Sequence, residues 1–241
     1  MTTEQMTTGQ TFGQLHFGRA RLGDQRRVKR LIALANQLAS HPGGTLPHKV
    51  KSPKDLKALY RLCQCPAVTH EAVLAPHREH VRSLIEQHQG TLLVIHDATE
   101  LDYTMAKSLG ALSHIGNGNG RGYICQNSLV VDPKTRLALG LFNQVLHDRA
   151  HVPKNETREQ ARQRESRESR LWMRGTAGLP ADARLVDVCD SGADTFEFLE
   201  HEMRSGRRFA IRAYNDRALL TGHAESGAAK CRLFSYLREQ S

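Results

Sequence analysis

The sequence predicts an α/β protein: a small, basic, helical N-terminal domain followed by a mixed β-sheet flanked by helices. Three observations predict it. Up to residue 90, apolar residues recur at helical spacing, whereas beyond Gly90 short apolar runs of strand length alternate with helical stretches. Charge divides at the same place: residues 1–90 hold 13 Lys/Arg against 6 Asp/Glu, and residues 91–241 hold 21 against 19. The 241 residues are 39% hydrophobic and 24% charged, enough to bury a core and unlike a disordered tail.

Residues 1–16 are polar, which predicts a disordered N-terminus without a secretory signal. Gly23-Asp24 then precede a helix over about Gln25–Ser40. Its apolar stripe is Val28, Leu31, Ile32, Ala35 and Leu38, with Arg26, Lys29 and Arg30 on the far face. His41-Pro42-Gly43-Gly44 stop it. Ser52-Pro53 open a second helix to about Leu62, Ser as N-cap and Pro at the first helical position. Thr69 caps a third, bent or interrupted at Pro76 and reaching about Gln89. Three short helices carrying the basic excess suggest a DNA-binding domain over residues 17–90. The competing reading of any basic stripe is a solvated helix face.

Thr91–His96 reads as an apolar strand ending at Asp97. Ile124–Val131 and Leu137–Leu146 read as a hairpin turned by Asp132-Pro133-Lys134-Thr135. The glycine-rich stretch 116–122 lacks the strand–helix context of a nucleotide fingerprint and reads as a turn. Asn155–Met173 has helical charge spacings, Glu159/Arg162 and Arg164/Glu168. Arg184–Cys189 is a strand ending at Asp190, Asp194–Met203 a helix and Arg208–Ala213 a last strand, after which residues 215–241 lose regularity.

The five cysteines make no zinc-type spacing and read as reduced thiols; the 13 histidines are scattered singly. No apolar run is long enough to span a membrane. The net charge of +9 favours a polyanionic partner, while 5% aromatics count against a stacking platform for single strands. Asp97 and Asp190 carry the chemistry. If their strands are parallel neighbours, both carboxylates leave the same sheet edge, where open α/β sheets bind ligands. Two carboxylates without His or Cys suit a hard cation, Mg²⁺ or Mn²⁺. The alternative is that each aspartate merely caps the next turn.

Four segments in order resemble the bacterial cut-and-paste transposases of the insertion-sequence-four family, transposon-five-like branch. They are Phe17…Leu22-Gly23-Asp24-Gln25-Arg26-Arg27…Arg30-Leu31 with Ala58-Leu59-Tyr60-Arg61; His96-Asp97-Ala98-Thr99-Glu100-Leu101-Asp102-Tyr103-Thr104; Val188-Cys189-Asp190-Ser191-Gly192-Ala193-Asp194; and Arg208-Phe209-Ala210-Ile211-Arg212 with Asn215-Asp216-Arg217. The resemblance spans Phe17 to Arg217. It implies an RNase H-like core at 91–214 and a DDE triad holding two divalent cations, with Asp97 first and Asp190 second on adjacent strands. It further implies phosphodiester hydrolysis and strand transfer at transposon-end DNA, with Arg26, Arg27, Lys29, Arg30, Arg61 and Arg212 as DNA contacts. The third acid of the pattern is assigned to neither Glu225 nor Glu239, because Tyr236, Arg238 and Glu239 have the wrong spacing. The chain is therefore expected to end inside the family's insertion, from residue 215, and to be inactive alone. Two further readings stay open: a non-catalytic DNA-binding remnant that inhibits or pairs with a full-length transposase, and a nuclease unrelated to transposition. The expected location is the bacterial cytoplasm, at the nucleoid.

Overall fold

The computed structural model describes residues 9–110, 112–149, 152, 154–221 and 229–239. Five helices come first: α1 (Phe12–Phe17), α2 (Gln25–Ser40), α3 (Leu46–Val50), α4 (Pro53–Cys63) and α5 (His70–Gln87). Side-chain caps start four of them, accepting backbone N–H groups that the first turn leaves unpaired: Thr11, Asp24, Ser52 and Thr69. Helix α1 corrects the expected disorder of residues 1–16 for its part of that span; residues 1–8 lie outside the described residues. Polar though it is, α1 is held because Gly13 lets it approach α2. A Cβ there would stand 2.3 Å from the Ile32 carbonyl oxygen. The Gly13 N–H donates to Asn36 Oδ1 at 2.7 Å. Ala20, Leu22 and Val28 form one small core, and Leu34, Val50 and Leu62 a second. Helix α5 runs unbroken through Pro76, because a proline inside a helix removes one donor while the flanking turns hold.

Six strands form a mixed sheet: β1 (Leu92–Asp102), β2 (Ser113–Ile115), β3 (Gly120–Asp132), β4 (Leu137–His147), β5 (Leu185–Cys189) and β6 (Arg208–Ile211). The order runs β3-β1-β5-β6, with β2 and β4 both paired to β3. Strands β1, β5 and β6 are parallel, and β3 is antiparallel to β1 and to β4. Asp132 closes the β3–β4 turn by accepting from Lys134 N and Thr135 Oγ1, each at 2.8 Å. One face is covered. Val81 and Ile85 of α5 pack on Leu92, Val94, Val130, Phe142 and Leu185. Trp172, Ala193 and Phe198 continue that core over Cys189. On the other face Leu93, Leu129, Val131, Leu141, Val186 and Val188 are half-buried and Ile95 is 37% exposed.

Three expectations need correction. Strand β1 does not stop at Asp97; it continues to Asp102, paired on one side with β3. The stretch 155–173 is not one helix but α6 (Arg158–Gln163), a 3-10 turn (Glu168–Arg170) and α7 (Leu171–Gly175). Its charges pair over distance instead of along a helix: Arg164 with Glu156, Glu168 with Arg149, and Arg167 and Arg170 with Glu197 of α8 (Phe196–Arg204). Residues 215–241 hold an antiparallel pair, β7 (Ala218–Thr221) with β8 (Ala229–Arg232), and then α9 (Leu233–Glu239). Residues 222–228, including Glu225, lie outside the described residues.

The helical region and the sheet meet through α5. A histidine cluster marks the seam: His16 of α1 against His77 and His80 of α5. The Leu141 N–H of β4 donates to His77 Nε2 at 3.1 Å, so His77 carries its proton on Nδ1 and donates it to His16 Nδ1 at 2.9 Å. Burial, then the neighbouring His77 and His80, pull His16 down to about 4.

Candidate functional site

The parallel β1–β5 register ends at His96 beside Cys189. The next residues are Asp97 on β1 and Asp190 after β5, and Arg212, whose N–H donates to the Cys189 carbonyl, follows β6. All three are exposed. Because side chains alternate along a strand, Asp97 points away from the face that buries His96. The structure thus places three predicted residues on neighbouring strands at one level of the sheet. Asp190 also caps the turn that follows, accepting the Gly192 N–H at 2.8 Å, which is the capping role that the sequence left open. Asp194 pins the chain beyond β6: its Oδ2 accepts from Tyr214 N and Asn215 N, each at 2.8 Å, and Arg217 pairs with Oδ1.

Behind this edge lies a buried polar chain that the sequence reading did not single out. His96 Nε2 donates to Asp187 Oδ1 at 2.6 Å, with both side chains fully buried. The Ser128 hydroxyl lies 2.9 Å from His96 Nδ1 and bonds the Gly175 carbonyl at 2.9 Å. Arg207 donates to Asp187 Oδ2 at 2.5 Å and to Glu202 Oε1 at 3.2 Å. Burial raises the Asp187 carboxyl, but the hydrogen bond and charge of His96, with Arg207, outweigh it and hold the group low. Glu202 goes the other way: burial and the adjacent Asp187 push it up to about 8. A His within an apolar run and an Asp between valines were the available signals.

The basic helices divide into engaged and free groups. Arg27 donates to the Leu22 carbonyl and Arg30 to Asp55 Oδ1, each at 2.8 Å. These two corrections have one cause: both side chains hold the domain together instead of lying bare on one face. Arg26, 90% exposed, pairs with Asp24 at 2.8 Å, and Lys29 is exposed. The continuous free surface is on α4. Its Leu56, Leu59 and Leu62 face the core, while Lys54, Lys57, Arg61 and Gln64 line the opposite side at helical spacing, with Tyr60 49% exposed. Lys54, Lys57 and Arg61 make no ion pair or hydrogen bond with the described residues. Only Arg61 was anticipated, although the 54/57/61 spacing was readable.

Two carboxylates just beyond the paired ends of neighbouring strands would make only a partial ligand set for a divalent cation. No group of three His, Cys, Asp or Glu that could hold a metal occurs among the described residues. Nor is any described helix long and apolar enough to cross a membrane. Residues 10–68, from before α1 to the loop ahead of α5, match the family described as transposase DNA-binding. The segment holding α1 to α4 is thus similar to the DNA-binding domains of transposases.

Proposed function

We propose that the chain is a DDE-type transposase of the insertion-sequence-four family, transposon-five-like branch, which binds transposon-end duplex DNA through its helical domain and presents Asp97 and Asp190 to the scissile phosphodiester. One observation carries the reading: the parallel β1–β5 register sets both aspartates at one level of the sheet, beyond a domain of the transposase DNA-binding kind. Lys54, Lys57 and Arg61 supply phosphate contacts, with Arg26 and Lys29 at the start of α2. Asp97 and Asp190 would hold Mg²⁺ or Mn²⁺, which when bound stabilises charge on the attacking and leaving oxygens. Arg212, beside Asp190, offers the phosphate a fixed cation.

That no third carboxylate joins Asp97 and Asp190 among the described residues favours a second reading, in which this polypeptide binds DNA, alone or paired with a full-length transposase, without cutting it. Two measurements test the pair. In salt titrations of duplex DNA binding, Lys54→Ala/Lys57→Ala/Arg61→Ala is expected to lower the log–log slope by roughly 0.9 per lost phosphate contact. An unchanged slope refutes the assigned surface. In a nicking assay with Mn²⁺ and the matched end sequence, the protein alone is expected to leave DNA intact. Cleavage that vanishes in Asp97→Ala would overturn the non-catalytic reading.

A further inference from the structure

We infer that the buried chain His96–Asp187–Arg207–Glu202 positions Asp97 against Asp190, holding the two carboxylates at the spacing a divalent cation requires; the inference rests on the cation-site reading above. The β1–β5 ladder ends at His96 and Cys189, after which β5 finishes while β1 goes on to Asp102 with β3 as its only partner. No ladder hydrogen bond therefore ties Asp97 to Asp190. Among side chains, the last cross-link between their strands is the His96–Asp187 bond, one residue before Asp97 and three before Asp190.

That link is fixed at both ends. His96 Nδ1 is held by Ser128 of β3, itself bonded to Gly175 of α7, and Asp187 is held by Arg207 at the entry to β6. Protonated Glu202 shares Arg207 and keeps a second negative charge out of the cluster. The result joins β3, β1, β5 and β6 through side chains at one level. An apolar filling would bury as well, yet would not fix the distance between two particular strands. Alternation along β1 turns a rigid His96 on the covered face into a rigid Asp97 on the open one. Groups that orient ligands from behind typically change metal affinity 10–100-fold when removed.

The test uses the full chain and Mn²⁺ alone, with binding by calorimetry and melting by circular dichroism. Asp97→Asn and Asp190→Asn calibrate the site: if both bind Mn²⁺ as wild type does, the cation-site reading fails, and this inference with it. Given their loss of binding, His96→Asn is expected to weaken Mn²⁺ on the order of 10–100-fold. His96→Gln, whose amide can still donate to Asp187, is expected to restore most of it. A purely structural role would not distinguish the two in this way, and Val130→Ala, a core truncation, should lower the melting temperature while leaving Mn²⁺ affinity unchanged. Wild-type affinity in His96→Asn, or equal loss in both His96 variants, overturns the positioning role and leaves the site reading intact. Should His96→Asn not fold, Ser128→Ala removes only the Nδ1 partner: weaker Mn²⁺ binding supports the role and unchanged binding overturns it.

Discussion

Acid should loosen the seam between the helical domain and the sheet, and His16 is where the effect is measurable. The His77 Nδ1–H already points at His16 Nδ1, because the Leu141 N–H occupies the other nitrogen of His77. Protonating His16 there sets two N–H groups face to face, inside a cluster where His77 and His80 add only positive charge and Arg19 presses on His80. The folded state therefore holds fewer protons than the unfolded chain between pH 6.5 and about 4. Stability is present above that window and lost as the pH falls through it. At about 1.4 kcal/mol per pH unit the full window bounds the loss at about 3.5 kcal/mol, and partial solvent access reduces it to about 1–2 kcal/mol. For a chain of this size that is a drop of roughly 3–8 °C in melting temperature. The comparison is thermal melting from pH 7 to 4 for wild type and His16→Gln, whose side-chain oxygen still accepts from His77 without titrating. The variant should match wild type at neutral pH and fall less steeply in acid. Parallel curves would refute the reasoning.

Three further outcomes follow from the same geometry. Glu202, raised to about 8, binds a proton in the folded state that the unfolded chain has released above about pH 4.5, so its contribution is lost as the pH rises towards 8. Glu202→Gln keeps the hydrogen bonds without the titration and should flatten the alkaline decline of the melting temperature. Gly140 has φ +150°, and a Cβ there would stand 2.7 Å from Val81 and 2.9 Å from His77. Gly140→Ala is expected to cost about 1–3 kcal/mol in chemical denaturation, because it pushes α5 off β4. Asp194→Ala strips the acceptor from Tyr214 N, Asn215 N and Arg217. Faster native-state trypsin cleavage at Arg212 or Arg217 reports the release, and an unchanged rate contradicts it.

Local signals were legible where local chemistry decides. Asp24, Ser52 and Thr69 cap the helices that the sequence places after them. The runs before Asp97 and Asp190 were legible as strands because each is short and largely apolar, and the structure pairs them in parallel. Non-local chemistry stayed hidden. The outer half of β1 is polar on both faces, so no alternation announced it, and only pairing with β3 makes it a strand. The Arg/Glu stretch 155–173 has helical spacings, yet Glu197, far along the chain, takes Arg167 and Arg170 away from it. Arg30 has a helical surface address but finds Asp55 on the next long helix. His96 and Asp187 looked like intruders in apolar strands until each supplied the other's partner.

Helix α5 belongs to both halves of the molecule: Ala72 packs on the N-terminal core, while Val81 and Ile85 lie in the core beneath the sheet. Its 18 residues make a strut of about 27 Å. A flexible tether would let a bound DNA segment sample many distances from Asp97; a continuous helix permits one. On the proposed function, the interval between the bases recognised and the bond addressed is then a property of the protein's backbone, as a gauge is of its frame. Adding a single residue to α5 would advance that gauge by about 1.5 Å and turn it by about 100°. A recognition sequence displaced along the duplex would be held as tightly, but with the wrong phosphate in front of the aspartates.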